Sequence, residues 1–99
     1  MHDEDEVKLI AAWLIEGSRG GITRARILLL LKDKPLNPHQ ISSILKLNYR
    51  TVTHHLEVLA KNGLVRRLSN GYGAPYTLTR IARSNWSIIE EYIRRVDSR

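Results

Sequence analysis

Between residues 38 and 65 apolar side chains recur twice at three- and four-residue intervals, with one short interruption. Ile41, Ile44 and Leu45 form one apolar face, Leu47 closes a turn, and Val52, Leu56 and Leu59 line a second helix. Pro38 suits a first helical position, and Gln40 stands three residues after Asn37, the spacing of a capping box. Asn48 is placed to cap the second helix through its side-chain oxygen, and Asn62-Gly63 ends it. Two short helices across a tight turn make a helix-turn-helix. After Gly63 the period changes: residues 64–68 and 76–79 are short β-branched and basic runs separated by Ser69-Asn70-Gly71-Tyr72-Gly73-Ala74-Pro75, which predicts a hairpin with a glycine-rich tip.

Helices are predicted on both sides of this unit. Val7, Leu9, Ile10, Trp13 and Leu14 make an apolar stripe ended by Gly17 and Gly20-Gly21. Thr23 is read as the cap of a following helix, Arg24 to about Lys32, whose Ile-Leu-Leu-Leu-Leu run is central core. At the far end, over about 81–97, Ala82, Trp86, Ile89, Ile93 and Val96 repeat at helical spacing, widened by Ile88 and Tyr92, with Glu90 and Glu91 one turn from Arg94 and Arg95. These stripes either pack on their own domain or pair two copies. The two tryptophans and the width of the last stripe favour a homodimer, with Leu9, Trp13, Trp86, Ile89 and Ile93 as interface candidates.

The polar side of the second motif helix carries Tyr49, Arg50, Thr51, Thr53, His54 and Glu57. A helix entering the major groove touches base edges with its N-terminal residues, and this first turn is rich in hydrogen-bonding groups. The candidate double-stranded DNA contacts are therefore Asn48, Tyr49, Arg50, Thr51, Thr53 and His54, with Arg66, Arg67 and Tyr72 on the hairpin as wing contacts to flanking backbone or minor groove.

The run T-V-T-H-H-L-E-V-L-A-K-N-G-L-V at 51–65 resembles the recognition-helix signature of the arsenic-repressor (ArsR)-like winged helix-turn-helix regulators, especially their small archaeal members. The resemblance spans about Thr23 to Thr79. It implies an α+β, mostly helical winged helix, a homodimer and transcriptional repression. Metal-sensing members of that family carry a Cys-x-Cys pair where this chain has Asn37 and His39, and the chain has no cysteine at all. Thiolate metal sensing and disulfide redox sensing are thereby excluded. Whether an effector exists is left open.

Ninety-nine residues suffice for one domain with one modest core. The net charge of +6 is unevenly placed: four of the ten acidic residues lie in His2-Asp3-Glu4-Asp5-Glu6, leaving sixteen basic residues against six acidic from Val7 onward, or +10. That density suits a polyanion. Residues 1–6 are expected to be disordered, and 7–99 to form a single DNA-binding domain. No apolar stretch approaches ~20 residues and the N-terminus lacks a signal-peptide pattern, so a cytoplasmic protein with no membrane partner is expected.

No enzyme is indicated, because no nucleophile stands beside a base at recognisable spacing and no glycine loop suits a phosphate. His54 and His55 are adjacent on a helix and diverge, with His55 facing partly inward, so neither a metal nor another cofactor is expected. Two further readings use the same fold: a DNA-packaging protein gripping mainly backbone, and a protein-protein adaptor of the transcription machinery.

Overall fold

The computed structural model describes residues 3–98. Its elements are α1 (Asp3–Ala11), continued by a π-helical turn (Ala12–Glu16), α2 (Gly21–Asp33), α3 (Pro38–Leu45), α4 (Tyr49–Lys61), β1 (Val65–Arg67), β2 (Tyr76–Leu78), α5 (Arg80–Ser84) and α6 (Trp86–Asp97). This is the expected α+β winged helix-turn-helix, mostly helical, with a two-stranded antiparallel sheet. The caps expected for α3 and α4 are present. Asn37 Oδ1 accepts from the Gln40 amide at 2.8 Å while Gln40 Oε1 accepts from the Asn37 amide at 2.8 Å, closing the capping box. Asn48 Oδ1 accepts from the Arg50 amide at 2.7 Å, and Gly63 has φ 78°, the left-handed conformation that ends α4 without a Cβ penalty.

α2 lies at the centre, with Ala25, Ile27, Leu28 and Leu31 buried against the other helices and the sheet. Its start differs from expectation: Gly20 is the N-cap, the helix begins at Gly21, and Thr23 already lies in the first turn. The reason is steric. Gly21 packs onto the Ile15 carbonyl so closely that a Cβ would stand 1.7 Å from the oxygen, so Gly20 and Gly21 reverse the chain as well as ending the preceding helix. In the helix-turn-helix, Ile44 is 51% exposed and leaves the face shared by Ile41 and Leu45.

The acidic start is also helical from Asp3, so the expectation of a disordered 1–6 gives way there; residues 1 and 2 lie outside the described residues. Acidic groups favour a helix N-terminus, and buried Val7 anchors the following turn. Val7, Ala11, Leu14 and Ile15 form the inward face. Leu9 and Trp13 point away from it, at 73% and 65% exposure, because they sit two residues out of phase with Val7 and Ala11. The sequence stripe had merged two faces.

The C-terminal segment is two helices. Thr79 caps α5, its hydroxyl accepting from the Ala82 amide at 3.1 Å, and the chain breaks at Asn85, whose side-chain amide donates to the Ile81 carbonyl at 3.0 Å. Trp86, Ile89, Ile93 and Val96 then face inward from α6, which packs against α1 and its π-helical turn. Ile89 is fully buried and Ile93 nearly so. Of the residues expected at a dimer interface, Trp86, Ile89 and Ile93 thus belong to this chain's own core, since a 99-residue domain needs the inner face of α6 to close it. Leu9 and Trp13 remain on the surface. Arg94 pairs with Glu90 and Glu91, and Arg95 with Glu91 and Glu16, exposed contacts worth little individually.

β1 and β2 pair Val65 with Leu78, Arg66 with Thr77 and Arg67 with Tyr76. A bridge between Leu36 and Tyr76 ties β2 to the α2–α3 connection, with both backbone hydrogen bonds formed. β2 is therefore flanked on both sides, by β1 and by the Leu36 backbone, so the wing is anchored through its inner strand.

Candidate nucleic-acid interface

α4 presents Arg50, Thr51, His54 and Glu57 to solvent and buries Val52, His55, Leu56 and Leu59. Asn48 is exposed, and capping uses its oxygen, leaving the two amide donors for an outside acceptor. Thr53 is half-buried and donates its hydroxyl back to the Arg50 carbonyl at 3.0 Å, so toward a base it can only accept.

Three aromatic rings brace the start of α4. His39, on α3, stacks on Tyr49 with ring centroids 4.4 Å apart, and its Nε2 shares a 2.6 Å hydrogen bond with the hydroxyl of Tyr72 at the wing tip. Tyr72 is 85% exposed yet held against the helix-turn-helix. Desolvation, and then the neighbouring Tyr72 phenol, push the Tyr49 hydroxyl above its ordinary range, so it stays neutral. His39 was not among the expected interface residues. No sequence signal links it to Tyr72, thirty-three positions on.

The wing arginines part company. Successive strand residues point to opposite faces. Arg67 joins Tyr49, Thr53, Glu57 and Tyr72 in the groove between wing and α4, whereas Arg66 turns to the far face, beside Arg80 and Arg83 of α5.

Beneath α4 lies a buried polar cluster that composition did not foretell. Arg24, 6% exposed, donates from Nε to the Leu14 carbonyl at 2.8 Å, from Nη1 to His55 Nδ1 at 3.1 Å and from Nη2 to the Ser18 hydroxyl. A guanidinium can only donate, so His55 Nδ1 must accept and the imidazole is neutral with its proton on Nε2. Gly20 leaves the space, since a Cβ there would come within 2.4 Å of His55 Cε1. Burial first, then the Arg24 charge, then His54, hold the His55 pKa below its ordinary 6.5; burial also lowers that of Arg24.

A histidine whose pKa is depressed on folding binds its proton more readily when unfolded. Its contribution to stability is complete above pH about 6.5 and is lost as pH falls through that value toward the folded pKa, with a slope of at most about 1.4 kcal/mol per pH unit. Urea unfolding at pH 7.5 and 5.5 should show wild type losing more stability on acidification than His55→Asn, whose amide oxygen can accept from Arg24 without titrating. Equal losses would place the titration elsewhere.

A helix-turn-helix followed by a two-stranded wing, with the first turn of α4 open to solvent, defines a winged helix-turn-helix of the DNA-binding class. Residues 22–67 match the profile of the family described as bacterial regulatory protein, arsR family, which supports a DNA-binding transcription regulator rather than an enzyme. The fold is similar to that of RV1404 from Mycobacterium tuberculosis (TM-score 0.67, 18% identity, 95% of this chain and 65% of that one). It is similar also to the transcriptional regulator HlyU from Vibrio vulnificus CMCP6 (TM-score 0.65, 24% identity, 89% of this chain and 84% of that one). MarR from E. coli, in its oxidized form, aligns with a TM-score of 0.61 at 19% identity, over 93% of this chain and 65% of that one. No curated protein sequence matches the chain. Among the described residues no group of three or more His, Asp or Glu side chains could hold a metal ion, and no helix is long and apolar enough to cross a membrane.

Proposed function

We propose that the protein is a homodimeric, sequence-specific repressor acting on DNA in the cytoplasm, each protomer laying the first turns of α4 in a major groove. The observation that carries this reading is the exposed Arg50, Thr51 and His54 on a helix start braced by the His39, Tyr49 and Tyr72 rings. Arg50 is the base-reading candidate, because its fork matches guanine O6 and N7. The Asn48 amide, the Tyr49 hydroxyl and Arg67 suit phosphates, Thr53 suits a base amino group, and Tyr72 follows the wing toward the minor groove. Arg66, on the other face of the hairpin, is not part of this set. Exposed Leu9 and Trp13 on α1, with the half-buried Ile88 and Tyr92 of α6, form the pairing surface. Paired there, two protomers would read an inverted repeat with half-sites about 34 Å apart. Repression is supported by the ArsR-type sequence.

The test begins with selection of bound sequences from a random DNA pool. Arg50→Ala should weaken the selected site by roughly 1–3 kcal/mol and relax the base preference at one position per half-site. Arg67→Ala should weaken selected and random DNA alike and make the salt slope shallower by about 1. Equal loss on all sequences for Arg50→Ala, together with a pool that yields no preferred site, would replace the repressor with a packaging protein.

A further inference from the structure

We propose that the cleft between the far face of the wing and α5 is a binding site for a small organic anion, a carboxylate or phosphate group carried on an apolar body. The cleft is open to solvent and offers about 580 Å³, within the range of small-molecule sites. Arg66 enters it from β1, Arg80 and Arg83 from α5, and Pro35 and Leu68 supply an aliphatic wall. Among the described residues none of the three arginines is in an ion pair, so three like charges share one concavity without a carboxylate. Such a concavity focuses positive potential and draws a counter-anion.

Arginine is suited to the task. Its planar fork meets carboxylate or phosphate oxygens two at a time, and Arg83 is already oriented, its Nη2 donating to the hydroxyl of buried Thr77 at 3.1 Å. Thr77 is the cross-strand partner of Arg66, so the cleft is built on the wing hairpin itself. Two features separate this site from the DNA-reading face. It opens on the side of the hairpin opposite the groove shared by Arg67 and α4, and its aliphatic wall offers nothing to a sugar-phosphate backbone. An anion seated there would link the wing to α5. Any effect of that link on operator affinity rests on the repressor reading, whereas binding itself does not.

Phenyl phosphate is the probe, titrated into the DNA-free protein by calorimetry and by amide chemical shifts, with inorganic phosphate in parallel. Saturable binding of phenyl phosphate is expected at low-millimolar or lower concentration, about tenfold tighter than inorganic phosphate because of the wall. Shifts should centre on residues of β1, β2 and α5. Arg80→Gln with Arg83→Gln should weaken binding at least tenfold, and Arg66→Gln, which leaves the Arg83–Thr77 bond intact, should weaken it severalfold. In each variant the salt slope on DNA should stay at the wild-type value. Absence of saturable binding, or equal affinity for the two phosphates, would overturn the proposal. So would a shallower DNA salt slope in these variants, which would assign the arginines to DNA phosphates.

Discussion

Ile89→Asp is expected to unfold the domain, whereas Trp13→Asp should leave a folded, helical monomer. Ile89 has no exposed surface and packs in the central cluster from the inner face of α6. Its replacement removes the burial of a branched aliphatic side chain, worth roughly 1.5–3 kcal/mol, and places a carboxylate where no water reaches it. The combined loss exceeds about 5 kcal/mol, as much as the whole stability of many small domains. Trp13 is 65% exposed, so a charge there meets solvent and the fold loses well under that amount. Circular dichroism and sedimentation of the two variants check the contrast. A folded monomer from Ile89→Asp would remove Ile89 from the core, and a dimer unaffected by Trp13→Asp would remove α1 from the proposed interface.

The second large effect is expected at Gly21. An added methyl would lie 1.7 Å from the Ile15 carbonyl oxygen and 2.7 Å from its carbon, and both obstacles are backbone in the π-helical turn. Side chains can rotate away from such a clash. Here either α2 or the turn must move, and α2 is the element on which the core is assembled. Overpacking of a core usually destabilises by about 1–3 kcal/mol, and Gly21→Ala belongs at or beyond the upper end. Gly63→Ala is the control: a Cβ there meets open space, but φ is 78°, so the loss is the left-handed backbone penalty of about 1–2 kcal/mol. Denaturant midpoints should rank Gly21→Ala below Gly63→Ala. The reverse order would mean that the contact between α2 and the turn yields readily.

Much of the architecture was legible in sequence because it rests on short-range chemistry. Asn37, Gln40, Asn48 and Gly63 act within a few residues, so caps and stops announce both helices of the reading unit. The polar side of α4 follows from helical period alone, and Arg50, Thr51 and His54 are exposed as that period requires. Period does not say which of two apolar stripes faces inward, and Leu9 and Trp13 share a sequence stripe with Val7 and Leu14 without sharing their burial. Nor does it distinguish a broad stripe that pairs two chains from one that closes its own core. Burial of Trp86, Ile89 and Ile93 was decided when α6 packed on α1.

What tertiary structure alone decided are the polar contacts made at long range. His39 and Tyr72 are thirty-three positions apart and Arg24 and His55 thirty-one, with no local pattern to connect them. Arg66 and Arg67 are neighbours in sequence, and only the docking of the hairpin sends one toward α4 and the other toward α5. The chain by itself determined a winged helix-turn-helix with a cationic, hydrogen-bonding reading helix, since each of those features is written in adjacent residues. Packing determined which charges meet one another and which are left facing open space, because that depends on how elements formed separately come to lie together.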